Sequence, residues 1–304
     1  MVVKINSVLI DNISEKVLPN NNSFLKCPFN YIGGKHKILP QLYANFPEKM
    51  SLMVDVFGGG FNVGINSNAD KVIYNDQITP LVELFKYFQN NKIEDILNYI
   101  DDTIKKFNIK KNTKEGFLDF RKEYNHGTER NPLDLYVLIC FSFNYQIRFN
   151  NSGKFNCPHG TNRSCFTKNM KTRLINFIDK LHEKDVEFLN HDFKELNYEK
   201  LDDKSFVYCD PPYLITTGSY NDGNRGFKNW TEKEEKELLN LLSHLDNTNI
   251  KFALSNVIEH KGHSNNILKE WSKNYETIYL DNDYSNSCYN TKRKNSQEVL
   301  IVNY

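Results

Sequence analysis

The chain reads as an α/β protein built on a mainly parallel sheet with both faces covered. Three observations predict this. Seven short apolar runs of strand character are spread along the 304 residues, and helical patterns separate several of them. Some of these runs stop abruptly on glycine or on an acid, as strands do when their carboxyl ends border a site. The first two also stand in a nucleotide-binding arrangement. "SLMVDVFGGG" (51–60) is a strand running into a glycine turn, and "KVIYND" (71–76) is a second strand whose closing acid comes about 20 residues after the first strand's end.

After an irregular start, "FNYIGGKHKILPQLYANFP" (29–47) predicts a loop and then a short helix stopped near Pro47. "TPLVELFKYFQ" (79–89) predicts a helix with proline in its first turn, where its missing N–H does no harm. From about 91 to 183 the character changes. "IEDILNYIDDTIKKF", "KEGFLDFRKEY" and "PLDLYVLICFSF" have helical patterns and surround the loop-rich "NYQIRFNNSGKFNCPHGTNRSCF". Residues 91–183 are therefore expected to form an inserted helical domain with a hairpin, between sheet-forming segments 1–90 and 184–304. Strand signals resume at "VEFLNHDF" (186–193), "SFVYCDPPY" (205–213), "KFALSNV" (251–257), "ETIYL" (276–280) and "EVLIVNY" (298–304). Among them "TEKEEKELLNLLSHL" (231–245) is an amphipathic helix with Thr231 as its N-cap.

Bulk properties exclude some classes. Hydrophobic residues make up 39% and charged ones 25%, the balance of an ordinary water-soluble chain. The formal net charge of +1 neither demands nor excludes a nucleic-acid partner, because local patches matter more than totals. No run approaches the roughly 18–20 apolar residues of a membrane helix. The N-terminal "MVVKINSVLIDNISEKVLP" is soon broken by charge and is not expected to be a signal peptide. The six cysteines show no CxxC pairing, which suits scattered thiols in a reducing cytoplasm better than a zinc site or disulfide framework.

Three stretches carry chemistry. In "DVFGGGFNVG", glycines after a strand let backbone approach a ligand closely. Gly58 and Gly60 fit a dinucleotide fingerprint, but its third glycine is displaced to Gly64. Gly59 and Gly64 have P-loop spacing, yet Ile65 and Asn66 follow where lysine and a hydroxyl residue are needed. What remains is a nucleoside-like ligand with less phosphate, and Asp76 stands where ribose hydroxyls are gripped. Taken alone, the stretch fits a tight turn followed by an exposed acid equally well. "NYIGGK" (30–35) offers a ring and Lys35, and alone it fits a glycine turn before a helix. "DPPY" (210–213) is sharper. A core strand ends on Asp210, and Pro211 and Pro212 stiffen the turn. Asp210 and the Pro211 carbonyl could accept hydrogen bonds from one amino group while Tyr213 stacks on a planar ring.

Taken in order, "FNYIGGK", "DVFGGG", "HDF" (191–193) and "DPPY" resemble the Dam-like (alpha-class) family of DNA adenine-N6 methyltransferases. "LSN" (254–256), the closing "EVLIVNY" and "QIRFNNSGKFNCPHG" (146–160) are also similar to that family, the last to the recognition hairpin of GATC-type members. The resemblance spans nearly the whole chain from about residue 27. It implies a Rossmann-like, mainly parallel seven-stranded sheet, and it makes 91–183 an inserted target-recognition domain beside a catalytic domain of 1–90 and 184–304. It implies S-adenosylmethionine as methyl donor, S-adenosylhomocysteine as product, and no metal. Tyr31 and Lys35 match donor-contacting positions, as do Asp55, Phe57, Gly58 and Gly60 of the glycine turn. Asp76 matches the ribose-binding acid, and Asp192 with Phe193 the pair that meets the donor's adenine. Asp210, Pro211 and Tyr213 match the catalytic lip, where Asp210 also lies near the donor. Arg148, Asn150, Asn156 and Pro158 match DNA-reading positions. Tyr31 stands where some relatives have tryptophan, and Gln146 where some GATC readers carry an apolar residue.

The expected substrate is adenine flipped from double-stranded DNA at a short, GATC-like site. Hydrogen bonds from its N6 amine to Asp210 and the Pro211 carbonyl would free the nitrogen lone pair for in-line transfer. The setting implied is the cytoplasm of a bacterial or phage-infected cell, with a cognate restriction endonuclease as functional counterpart and no membrane. An RNA or protein methyltransferase, or a non-catalytic DNA-binding relative, is the alternative. Asp210 in the lip, where glutamine methylation of proteins usually shows asparagine, favours DNA. Basic residues at 105–122, 163–173 and 292–294 are candidates for phosphate contacts.

Overall fold

The computed structural model describes residues 23–127, 130–150, 152–216, 230–281 and 296–304. The N-terminal apolar stretch, Cys288 and the basic run at 292–294 lie outside these residues. The expected sheet is present: β1 (Leu52–Asp55), β2 (Lys71–Asn75), β3 (Asp185–Leu189), β4 (Ser205–Cys209), β5 (Lys251–His260), β7 (Glu276–Tyr279) and β8 (Ser296–Val302). A two-residue strand, β6 (His263–Ser264), folds back on β5 and had no sequence signal. Strand order is β3-β2-β1-β4-β5-β8-β7. β3 to β5 run parallel, whereas β8 lies antiparallel between β5 and β7.

This order creates a switch point. From β1 the chain moves outward through β2 to β3, then returns to place β4 on the other side of β1. The carboxyl ends of β1 and β4 are thus neighbours, with Asp55 in register with Tyr208. In open parallel sheets such a crevice is where ligands bind. β4 is buried at all five positions, as the central strand of a sheet covered on both faces should be.

Most helices follow the patterns read from the sequence, but two, Lys168–His182 and Asn266–Trp271, were not anticipated. The helices are α1 (Leu39–Asn45), α2 (Thr79–Asn90), α3 (Ile93–Lys106), α4 (Glu115–His126), α5 (Pro132–Phe141), α6 (Lys168–His182), α7 (Glu232–Asn247) and α8 (Asn266–Trp271). Among the described residues no helix is long and apolar enough to cross a membrane. α5 is apolar all round, which suits only a helix surrounded by others, and α2, α3 and α4 pack against it. Its start is fixed by Asn131 and Asp134 in a reciprocal cap, and Asp134 also accepts from the Tyr99 hydroxyl at 2.8 Å.

The segment 91–183 shares its core with the sheet. α2 touches both α5 and β3, and α6 touches α2 and β3, so one apolar cluster runs from β2 through Phe85 to α5. Phe85 is fully buried, with ring centroids of Phe29, Phe61, Tyr74, Phe88, Phe177 and Phe188 between 5.4 and 6.4 Å away. Phe85→Ala is expected to cost about 3–5 kcal/mol through lost packing and a residual cavity. Denaturant unfolding followed by circular dichroism checks this. A loss below about 1 kcal/mol would show that the cluster does not join the two regions.

Candidate active site

Strand ends set the geometry. Asn75, the last residue of β2, is buried and ties three strands together. Its amide donates to the carbonyls of Val56 (3.0 Å) and His191 (3.1 Å), and its Oδ1 accepts from the His191 N–H at 2.9 Å. The carboxyl ends of β1, β2 and β3 are thereby held level. Asn75 was read only as part of a strand, because an amide beside a terminal acid carries no signal of its own.

The glycine turn is closely packed. A methyl group on Gly58 would fall 2.2 Å from the Tyr74 ring, and one on Gly60 would fall 2.8 Å from Tyr31 Cβ. Gly59 has φ +48°, which favours glycine. Tyr31 thus lies over the turn. Asp76 grips it from the other side: one carboxylate oxygen accepts from the Gly59 N–H at 3.0 Å and the other from the Ile78 N–H at 2.8 Å. Asp55 is 1% exposed and accepts from the Gly64 N–H at 3.0 Å.

At the end of β4, Asp210 meets Lys35. The ammonium of Lys35, only 6% exposed, is 2.7 Å from one Asp210 oxygen and donates to the Gly33 carbonyl at 2.9 Å. The Tyr213 hydroxyl donates to the other Asp210 oxygen at 2.8 Å, and Lys35 Nζ lies 5.2 Å from the Tyr213 ring centre. Pro211 and Tyr213 are buried, and Pro212 is exposed. A fourth member was not foreseen. Glu298 of β8 is 2% exposed, 3.1 Å from the Tyr213 hydroxyl and 3.5 Å from Lys35 Nζ. It had been read only as the first letter of a strand.

A third group is aromatic. Phe57 from the glycine turn, Phe193 after β3 and Trp230 before α7 have centroids 5.6 to 5.8 Å apart. Trp230 is anchored by its indole N–H, which donates to Glu235 at 2.7 Å. Glu235 is fully buried and also accepts from Asn256 (3.1 Å) and Asn265 (2.7 Å). Neither Trp230 nor Glu235 was singled out in the sequence, although Asn256 belongs to the familiar "LSN". Beside this trio, Asp192 caps the turn 193–195 and accepts from the Gln77 amide at 3.1 Å.

The hairpin residues form a separate group. Phe149 and Phe155 pair across the hairpin. The Arg148 guanidinium donates through Nε to Asn156 Oδ1 (2.9 Å) and through Nη2 to the Asn156 carbonyl (2.8 Å). Those bonds occupy its side edge and orient the group. Asn150 Oδ1 accepts from the N–H groups of Ser152 and Lys154, so it shapes the tip. The Pro158 carbonyl accepts from the Phe143 N–H at 2.8 Å, at the hairpin's root. Asn144 and Tyr145, with φ of 54° and 55°, turn the chain sharply between α5 and this root.

Burial dominates the electrostatics. It pushes the Asp55 carboxyl up to about 7, with the charges of Asp210 and Asp76 adding and the Gly64 N–H opposing. Burial also raises Asp76 and Asp210, and Lys35 works against it at Asp210. A carboxyl raised on folding stabilises the protein fully below its unfolded value, and the contribution is lost as pH climbs to the folded value. Asp55→Asn keeps an acceptor for Gly64 but cannot ionise. Between about pH 4 and 7, the melting temperature of the wild type should therefore fall relative to that of Asp55→Asn. Parallel melting curves across that window would contradict the raised carboxyl.

Residues 31–286 match the model of the D12 class N6 adenine-specific DNA methyltransferases. The chain is 50% identical over 299 residues to the Type II methyltransferase M.FokI of Planomicrobium okeanokoites, covering 98% of this chain and 46% of that one. It is 48% identical over 301 residues to the modification methylase StsI of Streptococcus sanguinis, with the same two coverages. It is 25% identical over 288 residues to the DNA adenine methylase of Escherichia coli K12, covering 94% of this chain and 96% of that one. The chain spans a little under half the length of the first two relatives. With its family match running from the Tyr31 block through the glycine turn and the Asp210 lip, the chain belongs to the D12 class N6 adenine-specific DNA methyltransferase family.

Proposed function

We propose that this chain transfers a methyl group from S-adenosylmethionine to N6 of an adenine flipped out of duplex DNA. The observation that carries the reading is the Asp210 lip, seated with Lys35 at the switch point between β1 and β4. The bound donor supplies an electrophilic methyl on a positively charged sulfonium. The residues suit it. Among the described residues, Asp55 and Asp76 have no ion pair, and buried carboxylates of this kind favour a nearby cation. Asp76 has lone pairs left for ribose hydroxyls, and Phe57, Phe193 and Trp230 offer flat apolar surface for a purine.

Asp210 accepts a hydrogen bond from the adenine amine, and the Pro211 carbonyl is suited to accept the second. This draws the nitrogen toward a tetrahedral shape and frees its lone pair, so that catalysis is positioning plus electrostatics. Once methylated, the nitrogen is strongly acidic, and Asp210 need not be a strong base to remove its proton. Tyr213 supplies a ring against the base. Residues 1–90 and 184–304 form the catalytic part, and 91–183 the part that reads DNA. There Arg148, steadied by Asn156, directs its terminal N–H groups at guanine O6 and N7, the commonest specific contact in the major groove. The relatives' names, a Type II methyltransferase and a modification methylase, support a modification role in a bacterial cytoplasm, with a cognate endonuclease as functional counterpart.

Transfer of labelled methyl from S-adenosylmethionine to unmethylated DNA, with N6-methyladenine recovered after digestion, is the test. Label in RNA or protein and none in DNA would overturn the reading. Asp210→Ala should lower the rate by on the order of 10²–10³. Full activity in that variant would remove Asp210 from the chemistry. Arg148→Ala should narrow the rate difference between the best site and its single-base variants by about 1–3 kcal/mol at one guanine. Sequencing of the methylated positions measures it, and an unchanged site preference would exclude base reading by Arg148.

A further inference from the structure

We infer that Glu298 is a positioning residue for Asp210: it shares Lys35 and Tyr213 with that carboxylate and takes over the Tyr213 hydroxyl when the substrate amine arrives. This rests on the reading of Asp210 as the amine acceptor.

The sequence pattern makes Glu298 conspicuous. In "SQEVLIVNY" the strand period puts Glu298 on the same sheet face as Leu300 and Val302, which pack with Phe206 and Tyr208 in one apolar cluster. Its side chain is 1% exposed. A carboxylate at a core position costs stability unless partners hold it. β8 runs antiparallel, and Glu298 pairs in register with Val257 of β5, just before a register shift at Glu259. Because of that direction, the start of β8 reaches the edge where the parallel strands end. Only a residue near the start of β8 can aim at the lip.

The partners define the role. Lys35 and Tyr213 each touch both carboxylates. Lys35 is close to Asp210 (2.7 Å) and farther from Glu298 (3.5 Å). The Tyr213 hydroxyl is 2.8 Å from Asp210 and 3.1 Å from Glu298, and it has a single proton to give. Without adenine, both Asp210 oxygens are therefore engaged, one by each donor. An incoming amine competes with them. A buried hydroxyl displaced from one carboxylate needs another acceptor nearby, because an unmade bond to a charged group is costly. Glu298 removes that cost, because the hydroxyl turns from one carboxylate to the other and stays bonded. Its charge also keeps the quartet one unit negative, which favours the positive charge that passes to N6 during transfer. The charged groups facing Asp210 agree: Glu298 raises its carboxyl along with burial, Lys35 and Tyr213 lower it, and Asp55 lies near enough to feel it.

The test uses Glu298→Gln, which keeps size and an acceptor oxygen but loses charge. The transfer rate at saturating donor and DNA should fall by more than about 30-fold, with both KM values within about threefold. Tyr213→Phe removes the proton that Glu298 receives, so in that background the same change should cost much less. An unchanged rate in Glu298→Gln, or an equal loss with and without the Tyr213 hydroxyl, would overturn the proposal. Glu298→Asp, which restores the charge, should recover part of the rate; no recovery points to packing alone and overturns it. A second readout needs no substrate. The titration midpoint of the Asp210 carboxyl carbon in the free, carbon-13-labelled protein should drop in Glu298→Gln, since a like charge is gone. An unmoved midpoint refutes the coupling even if the wild type methylates DNA. A moved midpoint in a protein that methylates no DNA would sustain the coupling and refute the functional reading.

Discussion

One buried ammonium organises the site. The Lys35 Nζ lies between Asp210 and Glu298 on a chain whose strand ends also bring Asp55 and Asp76 to the same edge. So many carboxylates at a dry edge would repel one another, and burial already raises three of them. Sheet order brings them there: β4 returns beside β1, so the acids ending the two strands are neighbours. In the function proposed above, that negative charge suits a positively charged donor.

The fold was legible because it is written in local signals. Apolar runs stopping at Asp55, Asn75, Leu189 and Cys209, each followed by a turn or an acid, announced parallel strands with a shared carboxyl edge. The change from strands to helices between 91 and 183 was legible from the loss of those runs and the helical patterns that replace them. What the sequence could not show was how that segment attaches. Phe85 and Tyr136 look like ordinary core aromatics, and only packing reveals that they join one cluster.

The candidate site was legible in part for the same reason. Lys35 follows two glycines and Asp210 precedes two prolines, which flag special backbone, and Asp76 closes a strand at the spacing of a nucleotide-binding acid. Glu298, Trp230, Glu235 and Asn75 stand inside regular elements or at their margins, where an acid, an amide or an indole has many mundane explanations. Their partners are distant in sequence: Glu298 answers to Tyr213 across 85 residues, and Asn75 to His191 across 116. The hairpin shows the converse. Its motif was visible, yet Asn150 and Asn156 spend their side-chain oxygens on the hairpin itself, so the motif encodes shape as much as contact.

Asn30 and Gln146 form a small backbone bridge, and the Asn30 amide also donates to the Asn144 carbonyl at 3.1 Å. Asn30 precedes Lys35 by five residues, and Gln146 precedes Arg148 by two. The bridge therefore ties the root of the hairpin to the loop that carries Lys35. In the function proposed above, a duplex gripped at the hairpin would be offered to Asp210 at a fixed offset, so that the choice of base pair and the choice of adenine become a single measurement of length.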